Sequence, residues 1–103
     1  MRKWDLEELA RVLRVLSVEL RLRILALLSE RPRYAYELAR ELGVSYPLVH
    51  LHLRALERAG LVVSEYKVAE GGKLRRYYRV RDFRIEISPK VLRRMGGGGS
   101  GEE

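Results

Sequence analysis

The amino-acid sequence predicts an α+β fold that is mainly α: four successive helices, a β-hairpin and a short closing helix. Three observations carry that expectation. Apolar residues recur at spacings of three and four through residues 5–59, the period of helices with one buried face. Across residues 62–80 the pattern turns to strand formers on either side of paired glycines. The segment 46–59 also carries a helix start signal and a helix stop signal at its two ends.

The first helix is expected over 5–16. Asp5 and Glu8 have the spacing of a capping box, in which each side chain accepts the other's backbone N–H. Leu6, Leu9, Val12, Leu13 and Leu16 line one face, and Trp4 and Val15 widen it. A terminal helix this apolar in so small a domain suits a second subunit; the alternative is that it covers only its own core. The second helix is expected over 18–29, capped by Ser17, with Leu20, Ile24, Leu27 and Leu28 inward. Pro32 ends that run, because it lacks an N–H and clashes with a preceding carbonyl. A short helix over 35–42 follows, with Leu38, Ala39 and Leu42 inward.

Gly43 supplies a tight turn, Val44 an apolar anchor and Ser45 a cap for the fourth helix, 46–59, with Pro47 in its first turn and Gly60 just beyond its end. Val49, His52, Leu53 and Leu56 share one face, while Tyr46, His50, Arg54 and Arg58 share another. A small residue in one helix, a glycine turn and a capped second helix form the pattern of a helix-turn-helix. A helix packed on one side and basic on the other fits the major groove of double-stranded DNA. Ser45, Tyr46, Pro47, His50, Arg54 and Arg58 are therefore the candidate DNA-facing residues.

The hairpin over 62–80 turns at Glu70-Gly71-Gly72-Lys73 and returns with a dense positive charge. Lys73, Arg75, Arg76 and Arg79 are its candidate phosphate or minor-groove contacts, the layout of a wing beside a groove-bound helix. The alternative is a solvated hairpin whose arginines discourage edge pairing. Phe83, Ile85 and Ile87 alternate with polar residues, so a short strand is expected over 83–87. Ser88-Pro89 starts a last helix over 89–95, whose Val91, Leu92 and Met95 join Leu6, Leu9, Leu13 and Leu16 as the candidate dimer interface. Residues 1–95 thus form one domain, and 96–103 read as a disordered Gly/Ser/acidic tail.

The net charge is +7, and the excess sits between Ser45 and Arg94, where 12 Lys/Arg face 5 Asp/Glu. A polyanionic partner is the natural inference. The absence of cysteine excludes disulfides, thiolate metal sites and Cys catalysis. No run is long enough to span a membrane and no signal peptide is readable, so a cytoplasmic location is expected. Asn, Gln and Thr are also absent, a bias that fits a hot environment. His50 and His52 point about 200° apart on a helix, so they cannot share a metal ion. His52 reads as packed; His50 either donates to DNA or is simply exposed. The carboxylates form no catalytic pair and Gly71-Gly72 is no nucleotide fingerprint, so neither an enzyme nor a cofactor is expected.

The run from Leu16 to Leu28, the turn from Glu37 to Ser45, and Val49-His50-Leu51-His52-Leu53 with Ala59-Gly60-Leu61-Val62 together resemble the arsenical-resistance-repressor (ArsR-type) winged helix-turn-helix regulators. The resemblance spans roughly residues 16–80. It implies a dimeric DNA-binding transcription factor, usually a repressor, with the first and last helices at the dimer interface. Many relatives sense metals through cysteines near Ala39 or through Asp and His on the last helix, and this chain has neither. The resemblance names no small-molecule effector. Two other readings remain open: a winged-helix module that binds an acidic protein, and an architectural DNA binder of low specificity.

Overall fold

Capping chemistry sets the first helix of the computed structural model, which describes residues 4–97. Helix α1 is Leu6–Leu16. The Asp5 carboxylate accepts the Glu8 N–H at 2.8 Å, and Glu8 accepts the Asp5 N–H at 3.2 Å, the expected capping box. Ser17 does not cap the next helix. Its ψ is near zero, not extended, and its hydroxyl donates to the Arg14 carbonyl at 2.7 Å, closing α1 instead. Helix α2, Glu19–Glu30, starts one residue late, with Val18 at its N-cap and no side-chain cap.

Strand β1 is the two-residue Arg33–Tyr34, and α3 is Ala35–Leu42. Gly43 adopts φ +69°, a left-handed turn that costs a residue with a Cβ, and the Val44 N–H donates to the Ala39 carbonyl at 3.0 Å. Helix α4 is Tyr46–Arg58, with Ser45 Oγ accepting the Leu48 N–H at 3.2 Å. It ends at Gly60, φ +79°, where the Leu61 N–H returns to the Leu56 carbonyl. Strands β2, Val62–Val68, and β3, Leu74–Val80, form the hairpin, and Ser88 caps α5, Pro89–Met95.

The sheet has three antiparallel strands in the order β1-β3-β2. Arg33 pairs with Tyr78, Val62 with Val80 and Val68 with Leu74. The third strand is therefore β1 and not the expected 83–87. That segment carries no ladder; β1 is the strand that pairs with the second edge of β3. Its alternation still has a cause: Phe83 and Ile85 are half-buried against the core, while Arg84, Glu86 and Ile87 are exposed. Gly96 and Gly97, the start of the expected tail, form the turn that closes α5; residues 98–103 lie outside the described residues.

The core joins α2, α3, α4 and the base of the hairpin through Ile24, Leu38, Val49, Leu53, Leu56, Leu61 and Val62, each essentially closed to solvent. One cation is buried with them. Arg33 Nε donates to both Glu41 carboxylate oxygens at 3.0–3.1 Å, its Nη2 lies 3.3 Å from Glu30, and its Nη1 donates to the Leu27 carbonyl. Burial pulls its pKa down, but the two carboxylates outweigh that and hold it above the ordinary value. The guanidinium thereby ties the end of α2 to β1 and to the last turn of α3, fixing how the helix-turn-helix sits. No helix among the described residues is long and apolar enough to cross a membrane.

Candidate nucleic-acid interface

Helix α4 presents three faces. Val49, Leu53 and Leu56 are buried. Pro47, Leu51, Arg54 and Arg58 are exposed on the opposite side, and neither arginine has an ion-pair partner among the described residues. Tyr46, His50 and Glu57 lie on the flank nearest the hairpin, a cylinder geometry that follows from 100° per residue. Ser45 exposes its backbone turn, but its hydroxyl is engaged as the cap. His52 sits on the other flank, where Arg21 Nε donates to its Nδ1 at 3.0 Å. Burial, and secondarily the Arg21 charge, push its pKa below the ordinary 6.5, so it is a neutral acceptor at neutral pH.

A cleft of about 330 Å³ separates α3 and α4 from the hairpin. Tyr36, Tyr46 and His50 stand in file along one wall, with ring centroids 6.3 and 5.7 Å apart, and Tyr66, Leu74, Arg75 and Arg76 form the other. Tyr36 and Tyr66 were not singled out from sequence. Each has an apolar ring on an exposed position, and only the meeting of α3 with the hairpin makes a shared wall of them.

The four expected hairpin cations do not share a role. Lys73 is exposed at the tip, where the Ala69 N–H donates to its carbonyl at 2.6 Å. Arg75 and Arg79 lie on one face of the hairpin, Arg75 stacked 4.3 Å over the Tyr34 ring and Arg79 exposed. Arg76 lies on the face toward α4 and is already occupied. Its Nη2 donates to both Glu57 oxygens at 3.2 Å, its Nε donates to Ser64 Oγ at 2.9 Å, and Ser64 Oγ donates to Glu57 at 3.0 Å. This corrects the expectation of a free phosphate contact at Arg76. The signal was present in the sequence as Glu57, the one acid in α4, but its reach to a residue 19 positions away was not legible. Val68 and Leu74, paired across the strands, leave more than two-thirds and about two-thirds of their surface exposed, so the tip is apolar as well as basic.

The candidate dimer residues divide too. Leu6, Leu13 and Leu92 are exposed, and Leu16, Val91 and Met95 are half-buried. Leu9 is only 4% exposed within its own chain, so it is a core residue and not an interface residue. The Leu6 side chain reaches the turn at Gly96, bringing the start of α1 beside the end of α5. Among the described residues, no group of three His, Asp or Glu side chains could hold a metal ion.

The comparisons with known proteins bear on this arrangement directly. Residues 19–64, from the start of α2 into the hairpin, match the model of the bacterial regulatory protein arsR family. An HTH-type transcriptional regulator of Methanocaldococcus jannaschii is 40% identical over 80 residues, 78% of this chain and 83% of that one. The chain belongs to the ArsR family of winged helix-turn-helix transcriptional regulators. Among solved structures it is similar to the homodimeric winged helix-turn-helix DNA-binding domain of a Mycobacterium bovis protein described as a possible ArsR-family regulator, at 31% identity and TM-score 0.61, covering 88% of this chain and 74% of that one. It is also similar to reduced HlyU of Vibrio cholerae, at 26% identity and TM-score 0.62, covering 87% and 83%. The family and these relatives are transcriptional regulators and not enzymes, and the hairpin of this ArsR-family chain is its wing.

Proposed function

We propose that this ArsR-family regulator is a repressor that binds a specific, inverted-repeat DNA site as a homodimer. Helix α4 enters the major groove, with Tyr46, Pro47, His50, Arg54 and Arg58 toward the bases and backbone and Ser45 setting its start. Lys73, Arg75 and Arg79 of the wing hold phosphates or the adjacent minor groove. The observation that carries this reading is that α4 keeps two unneutralised cations, Arg54 and Arg58, on its outer face while its adjoining flank, Tyr46 and His50, faces the cationic wing across a cleft. The exposed Leu6, Leu13 and Leu92 on α1 and α5 support the dimer, as does the homodimeric state of the Mycobacterium bovis domain.

Selection of bound duplexes from a random library tests the reading. The expected product is an inexact palindrome with half-site centres about 10 bp apart. Duplexes recovered without any common sequence would replace it with an architectural, low-specificity role. No gel retardation of duplex DNA at low salt would leave the protein-docking reading.

A further inference from the structure

A second concave surface lies on the flank of α4 away from the wing. It is a cleft of about 550 Å³ walled by α1, α2 and the last turn of α4. Four arginines are among the residues that line it: Arg11, Arg14, Arg21 and Arg58. Arg11 is paired with Glu7 at 3.5 Å. Arg14, Arg21 and Arg58 have no carboxylate partner within 4 Å among the described residues. The one acid in the lining, Glu8, turns its carboxylate to the Asp5 N–H.

Arg21 is held in place by uncharged acceptors. Its Nε donates to His52 Nδ1 at 3.0 Å and its Nη1 donates to the Val15 carbonyl at 3.1 Å. A half-buried guanidinium fixed by neutral acceptors has no carboxylate to offset it and is oriented before any ligand arrives. The rest of the lining is mainly apolar, from Val12, Val15, Ala55 and Ala59, with one aromatic ring, Trp4. Cations alone would suit any inorganic anion. Apolar and aromatic side chains lining the same cleft as several arginines suit a ligand with a flat hydrocarbon body and an anionic head.

We propose that this cleft is a binding site for a small organic anion, an aromatic carboxylate or phosphate, whose head meets Arg14, Arg21 and Arg58. The ligand would neutralise like charges that otherwise repel one another. It would also clamp α1 and α2 to α4 through Arg58 and the Arg21–His52 bond, so its occupancy changes the seating of α4. A resulting change in DNA affinity rests on the function proposed above; the binding itself does not.

Trp4 is the only tryptophan in the chain and lines the cleft, so its fluorescence responds to a ligand there, and the arginine variants assign the response to this cleft. The test is titration of the full chain, without DNA, with phenyl phosphate, inorganic phosphate and phenol. Phenyl phosphate is expected to give a saturable change, with at least tenfold weaker binding in Arg14→Gln and Arg21→Gln and no loss in Arg93→Gln, an exposed arginine on α5. Arg14 is on the surface, so its variant keeps the test valid if Arg21→Gln fails to fold. Absence of saturation, equal binding of inorganic phosphate, or equal loss in Arg93→Gln would each overturn the proposal. So would an Arg14→Gln variant that flattens the salt dependence of duplex binding while binding phenyl phosphate normally; the arginines would then be backbone contacts for DNA.

Discussion

The salt dependence of DNA binding counts which wing cations are free, and the structure makes that count specific. Each cation that neutralises a phosphate contributes about 0.9 to the slope of log K against log salt. Over a fourfold rise in salt, one such contact is worth roughly a 3.5-fold loss of affinity. Lys73 and Arg79 are exposed and unpaired among the described residues, so Lys73→Ala and Arg79→Ala should each flatten the slope by about 0.9. Arg76 is different, because Glu57 faces it at 3.2 Å and already offsets its charge. Arg76→Ala should lower affinity by loosening the wing, yet move the slope by less than about half as much. Glu57→Gln should do the reverse: it releases Arg76 and steepens the slope by about 0.9. Fluorescence anisotropy of a labelled duplex across a salt series reads all four values. If Arg76→Ala flattens the slope as much as Lys73→Ala, the tether is absent in solution and the division of the wing cations is wrong.

Three further outcomes follow from the packing. Arg33→Met removes the buried partner of Glu41 and of the Leu27 carbonyl; because Glu41 is one-third exposed and can rehydrate, the expected loss is about 3 kcal/mol, at the low end for a broken buried pair, read as a lower urea midpoint with unchanged m. A loss below about 1 kcal/mol would mean that the network does not seat α3. His52 is held neutral below its ordinary 6.5 in the folded chain, so the unfolded chain binds the extra proton first. The stability it contributes is complete above 6.5 and is lost as pH falls toward the folded value; the urea midpoint should drop between about pH 7.5 and pH 5, and His52→Gln should shrink that drop. Leu13→Glu with Leu92→Glu should convert a dimer to a folded monomer in sedimentation, and an unchanged mass would move the interface elsewhere.

Much of the fold was legible because its signals are local. The Asp5–Glu8 box, the Ser45 and Ser88 caps, and the turns at Gly43 and Gly60 act over three or four residues, and each occurs where the sequence indicates. Ser17 misled because a serine between two helices can end one as readily as start the next, and the backbone angle decides. Strand β1 was invisible because two residues carry no period, and the expected strand at 83–87 failed for the complementary reason: alternation records which side is buried, not whether the backbone pairs with another strand.

The candidate site divides along the same line. Residue order alone determined that α4 has an apolar and a basic face and that a cationic hairpin follows it, since both depend on spacing within one element. Tertiary structure decided that Arg76 is tied to Glu57, that Leu9 is buried while Leu6 and Leu13 are not, and that three arginines from three helices share one cleft with Trp4. Each of these is a meeting between distant parts of the chain, and whether a charge is free or paired depends on what packing brings within about 4 Å of it.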